Sequence, residues 1–197
     1  MKRTTTRRRR EMQHFVADNR RLFPFAALFL AGVGAGVAVY LTAADHLPAD
    51  LLVPTSARAV GFVHALWEAC FSTVVLLGAL YLLGLWACGV PFILAVPLFH
   101  GVGLGLTEAY CYHTGMGGVI TVATLVMPMG LLNAAVLTAA CAESLRLSTT
   151  LSRHLLTREA QEGIHSGFRL YSLRFLLFLI AAVAVAVMEA LLRQWIL

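Results

Sequence analysis

Residues 22–43, LFPFAALFLAGVGAGVAVYLTA, run without one charged side chain directly after Arg20 and Arg21. As a helix rising about 1.5 Å per residue, a stretch of that length crosses a hydrocarbon core about 30 Å thick. A basic head before an apolar run also describes a secretory signal, whose apolar part is typically about 7–15 residues. This run is longer, so it reads as an uncleaved first transmembrane helix. Gly32 and Gly36 are four apart within it, a spacing that lets a second helix approach closely.

Working outward, the same pattern repeats. The chain has 197 residues, of which 59% are hydrophobic and 13% charged, with a mean hydropathy of +0.80. A soluble domain carries about 45–50% apolar and roughly 25% charged residues; the excess here has to be covered by lipid. The expected fold is all-α, a polytopic membrane helix bundle of about five spans near 22–43, 68–88, 91–110, 118–141 and 172–192. These form a single transmembrane domain, 22–197, behind a basic tail, 1–21. Residues 1–10, MKRTTTRRRR, read as disordered, and 11–21 as a short interfacial helix. Residues 44–65 read as an extracytoplasmic loop, with Ala59 to Trp67 as an interfacial helix. Gly89-Val90-Pro91 marks a tight hairpin, and 142–171 the main cytoplasmic segment.

Charge sets the orientation. Thirteen of the 15 Lys and Arg residues lie in the tail and in the late segment ending at Arg174; only Arg58 and Arg193 fall elsewhere. The positive-inside rule then places the N-terminus in the cytoplasm and the C-terminus outside, in the cell membrane. The net charge of +5 follows from these flanks, so the expected partner of the tail is anionic membrane lipid and not nucleic acid.

Polar residues within apolar spans are costly and often mark function. Pro97, Gly101, Gly105 and Glu108 share one stripe of the third span, a face suited to packing against another helix. Glu108 reads either as a polar point on that face or as a solvated carboxylate at the outer interface. His100 is more central, as a neutral imidazole bonded to a neighbouring helix or as part of a relay. Pro128 frees a backbone carbonyl one turn back, and Asn133 is placed to bond across the bundle. Glu189 and Arg193 make a local i, i+4 pair.

Catalysis finds no footing. His64 and Glu68 share a helical face, but HALWE is not HExxH, and GxSxG and GxxxxGK[ST] are missing. No enzyme and no cofactor are expected. Cys70, Cys88, Cys111 and Cys141 have no metal-ligand spacing and read as small buried residues. Cys70 and Cys111 both fall near the outer face, so a disulfide between them stays open.

Three stretches carry a resemblance. GLWACGVPFILAVPLFHGVGLGL (84–106) has Gly89, Pro91, Ile93, Leu94, Phe99 and Gly101 in place. GMGGVITVATLVMPMGLLNAAVL (115–137) supplies a Gly-rich turn and a Pro-containing helix, and AVMEALLRQW (186–195) a last helix with acidic Glu189. Together they resemble the stage II sporulation protein M family over nearly the whole chain. Two departures stand out: His100 replaces the usual basic residue before the glycine, and Thr107-Glu108 interrupts the Gly-rich helix.

The resemblance implies a non-enzymatic membrane scaffold of the sporulation engulfment machinery. It would act with stage II sporulation proteins D and P, which degrade peptidoglycan, in the mother-cell septal or engulfing membrane of a sporulating host. The residues that would carry packing or partner contacts are Pro91, Pro97, His100, Gly101, Gly105, Glu108, Pro128, Asn133 and Glu189. A small transporter or channel subunit is the alternative, with His100, Glu108 and Asn133 on its pathway. A homo-oligomer is compatible with either.

Overall fold

The computed structural model describes residues 2–43, 61–86, 88–157 and 164–196, and among them there is helix but no strand. Five helices follow one another: α1 Lys2–Ala43, α2 Phe62–Leu85, α3 Val90–His113, α4, and α5 Ile164–Ile196. The fourth, α4, is continuous but composite. It starts as Met116–Thr121, passes through a π-helical segment Val122–Val126, and continues as Met127–Thr157.

Each helix contains a stretch long and apolar enough to cross a membrane. Only 22% of that stretch is buried inside the bundle in α1, α2 and α3, and 33% in α4. Lipid must cover the rest, since an apolar surface of that extent is not stable in water. The larger share of α4 reflects its position, for it packs against all four other helices.

Where the chain differs from its sequence reading, helices have grown. Residues 2–10 and 11–21 are neither disordered nor a separate interfacial piece but the first half of α1. Arg, Gln, Glu, Met and Leu are good helix formers, and no Gly or Pro stands between Lys2 and Pro24. Pro24, inside α1, has no N–H for the carbonyl of Arg20, near the start of the apolar run. Phe62–Trp67 is likewise the start of α2 and not an interfacial helix. The late polar segment is helical on both flanks, to Thr157 and from Ile164. Residues 44–60 of the expected outer loop, Ala59 and Val60 among them, and the centre of the late segment lie outside the described residues.

Two tight turns set the register. Between α2 and α3, Gly89 N–H donates to Trp86 O at 3.1 Å, and Pro91 sits in the first turn of α3, where its missing N–H costs nothing. Between α3 and α4, Gly115 has φ 92°, a left-handed conformation that disfavours any side chain. Within α4, Pro128 has no N–H for the carbonyl of Thr124, and the ladder slips just before it: Met127 N–H bonds back to Val122 O. The Thr124 and Thr121 hydroxyls donate to Ile120 O (2.7 Å) and Gly117 O (3.0 Å), so carbonyls along this first part of α4 gain a second donor.

The core gathers around α4 and α5. Phe25, Leu77, Leu80, Ile93, Leu137, Ala140, Cys141, Tyr171, Phe175 and Ala182 form one buried cluster drawn from every helix. All four cysteines are free thiols, so the open Cys70–Cys111 disulfide is not formed.

The orientation expected from charge has a direct test. A cysteine introduced at Ala49 should react with a membrane-impermeant thiol reagent from outside and one at Gln161 only from inside. Both reacting from one side would overturn the five-span topology, and the reverse pattern would overturn the orientation.

Candidate functional site

The third span holds most of the residues singled out from sequence, and its geometry is set by glycine. Ile93, Pro97, Gly101, Gly105, Glu108 and Cys111 are the buried residues of α3, spaced four, four, four, three and three apart along one face. That face meets α1, and contact between the two backbones is reciprocal. A methyl group at Gly32 would strike Leu98 O and come to 3.1 Å of Gly101 Cα. One at Gly101 would strike Phe29 O and come to 3.1 Å of Gly32 Cα. One turn further on, Gly36 lies against Val102 O and Gly105 against Val33 O. Residue numbers rise together on both helices, so α1 and α3 are parallel, and two glycines from each interlock. This is small-residue packing of the kind that joins helices in lipid, where apolar side chains gain little by leaving the bilayer for one another.

Glu108 continues the stripe and is 9% exposed, so of its two readings the structure places it on the packed face. His100 stacks on Phe29 of α1, ring centroids 5.9 Å apart, while its Nε2 is buried with no hydrogen-bond partner. Asn133 Oδ1 is in the same condition on α4. Pro91 is exposed at the α2–α3 turn, and Pro128 is half-buried behind the π-helical segment. At the far end of α5, Glu189 accepts from Arg193 Nη2 in the expected i, i+4 pair, and both side chains are largely buried. His64 Nδ1 and Glu68 Oε1 stand 3.4 Å apart on α2. The sequence-derived residues thus fall into two groups: the glycine stripe with its neighbours on α3 and α4, and the Glu189 pair on α5. Among the described residues no group of His, Cys, Asp or Glu could hold a metal ion.

One polar cluster was not foreseen. At the end of the bundle beside the α2–α3 turn, Ser144 and Ser148 of α4 are fully buried. Ser144 Oγ donates to Leu80 O at 3.0 Å and lies 3.3 Å from the Tyr171 hydroxyl. Tyr171 donates to Tyr81 O at 3.1 Å, and Tyr81 Oη and Ser172 Oγ are 3.0 Å apart. Ser148 Oγ donates to Trp86 O at 2.7 Å, closing the end of α2. Outside this knot Arg174 of α5 pairs with Glu143 of α4. Gly84 admits the tyrosine, since a methyl there would meet its hydroxyl. Three helices are therefore joined by hydroxyls bonded to backbone carbonyls. A signal for it does exist in the sequence: Leu137, Cys141, Ser144 and Ser148 continue one buried stripe at helical spacing past the point where apolar composition stops.

A family model described as Stage II sporulation protein M matches residues 25–191. No curated protein and no solved structure matches the chain.

Proposed function

The chain belongs to the Stage II sporulation protein M family, a sporulation-related family of membrane proteins, and from that premise we propose that it is a non-enzymatic scaffold of the engulfment machinery. On this reading it positions peptidoglycan hydrolases, stage II sporulation proteins D and P, while septal wall is thinned and the mother-cell membrane moves around the forespore. What supports the reading is the use made of the buried hydroxyls. Those of Ser144, Ser148 and Tyr171 tie one helix to another, so the polar groups at that end hold the bundle in shape. The working surfaces are then those outside the membrane, among them the α3–α4 turn and the end of α5, whose shape the buried Glu189–Arg193 pair holds.

A second reading, a transporter or channel subunit, draws on one specific observation. His100 Nε2 and Asn133 Oδ1 are buried polar atoms with no partner in the span region, and such groups in membranes often line solute paths.

Deletion of the gene separates the two. For a scaffold, the asymmetric septum forms but does not curve around the forespore, and the hydrolases lose their septal position while keeping their activity. Fluorescence microscopy of the membrane in sporulating cells reads this directly. Normal engulfment with altered solute or ion flux would replace the scaffold by the transporter. Glu189→Ala, which removes the carboxylate that Arg193 pairs with at the end of α5, is expected to weaken co-purification of the hydrolases by altering that end of the helix; unchanged recovery would mean that the pair does not shape the docking surface.

A further inference from the structure

His100 and Asn133 belong to helices that pack on each other, and the register sets them at one level of the bundle. The Leu104 side chain of α3 lies against Gly130 of α4, with a methyl at Gly130 falling 2.6 Å from Leu104 Cδ1. From that contact His100 is one helical turn back along α3, and Asn133 is three residues on along α4. The two helices are antiparallel across a tight turn, so both steps lead toward the same end of the bundle. His100 and Asn133 therefore stand at the same level along α3 and α4. Phe29 of α1 stacks on the imidazole at an interplanar angle of 30°, which shields it from lipid without offering a hydrogen bond. Each side chain brings a buried atom with no protein partner, Nε2 on one helix and Oδ1 on the other.

The chemistry of the two atoms is complementary. An amide oxygen only accepts, and an imidazole nitrogen bearing a proton donates. Both atoms are buried within spans, and leaving both unmatched there is costly. A small molecule that accepts on one side and donates on the other satisfies both, and water does so wherever a buried site offers it polar partners.

The geometry points to a water-binding site formed by His100 and Asn133 between α3 and α4, the water accepting from Nε2–H and donating to Oδ1. It joins these helices inside the membrane, in the stretch of α4 that follows the slipped π-helical segment. The inference goes beyond the scaffold reading and does not rest on it.

The test uses the full-length protein in lipid nanodiscs with 15N-labelled histidine. His100→Phe identifies the His100 signal by removing it. Magnetisation is expected to pass from water to the His100 Nε2–H, and Asn133→Leu is expected to abolish that transfer. A His100 signal that receives nothing from water, or one that Asn133→Leu leaves unchanged, overturns the site. Thermal unfolding in detergent gives a second reading by its sign. With a bridging water, His100→Phe and Asn133→Leu each lower the midpoint by about 2–4 °C, and the double variant falls no further than the worse single one. If the two atoms are simply unpaired, apolar replacements raise the midpoint and their effects add, which also overturns the proposal.

Discussion

Gly101→Leu is expected to leave almost no folded protein. The space beside Gly101 is filled by the backbone of α1, namely Phe29 O, Val33 N and Gly32 Cα. No rotamer of an added side chain avoids these atoms, and a backbone cannot swing aside as a flexible side chain can. Overpacking a core typically costs about 1–3 kcal/mol, and parting two helix backbones along a run of four glycines belongs at or above the top of that range. Leu104→Ala on the same helix is the control. Its side chain packs on Gly130 of α4, so truncation removes contacts and leaves a gap open to relaxation, at a cost of about 2 kcal/mol. Gel filtration of a fluorescent fusion in detergent should show a monodisperse peak for Leu104→Ala and aggregate for Gly101→Leu. Equal recovery of the two would mean that the stripe does not hold α1 to α3.

Gly84→Ala should also destabilise the bundle strongly, and Tyr171→Phe should partly restore it. An alanine methyl at Gly84 would occupy the position of the Tyr171 hydroxyl and approach Ser144 Cα to 3.1 Å. The tyrosine must then give up its bond to Tyr81 O, and α5 shifts away from α2. Tyr171→Phe alone forfeits hydrogen bonds worth about 1 kcal/mol in total, since Ser144 still reaches Leu80 O. In the double variant the hydroxyl is no longer there to collide, so about half of the loss caused by Gly84→Ala should return. Thermal unfolding of the two single variants and the double one measures this. Purely additive effects would show that the glycine and the tyrosine hydroxyl do not share one space.

The sequence by itself determined that this chain is a five-span membrane bundle, and it did so for a physical reason. In lipid every backbone polar group must be satisfied within its own segment, so long uncharged runs such as 22–43 have no option but helix, whatever their neighbours do. Glycine spacing belongs to the same class of information: Gly101 and Gly105 at i, i+4 mark a face on which another helix rests. Family membership was legible for a related reason, because the turn at Gly89-Val90-Pro91 and the acidic end of the last helix are local features. What only the tertiary structure decided is which faces meet. Nothing in the α3 stripe names α1 as its partner and not α2; the parallel interlock with Gly32 and Gly36 exists because the chain returns α3 to the side of α1. The knot around Ser144, Ser148 and Tyr171 was hidden more deeply. Helical spacing puts Ser144 and Ser148 on the same stripe as Leu137 and Cys141, but nothing local names their acceptors until Leu80 O, Tyr81 O and Trp86 O, some 60 to 90 positions away in sequence, are brought against the hydroxyls. Hydrophobic patterning reports how much of a residue is buried, whereas a hydrogen bond between helices depends on the position of an acceptor that local sequence does not encode.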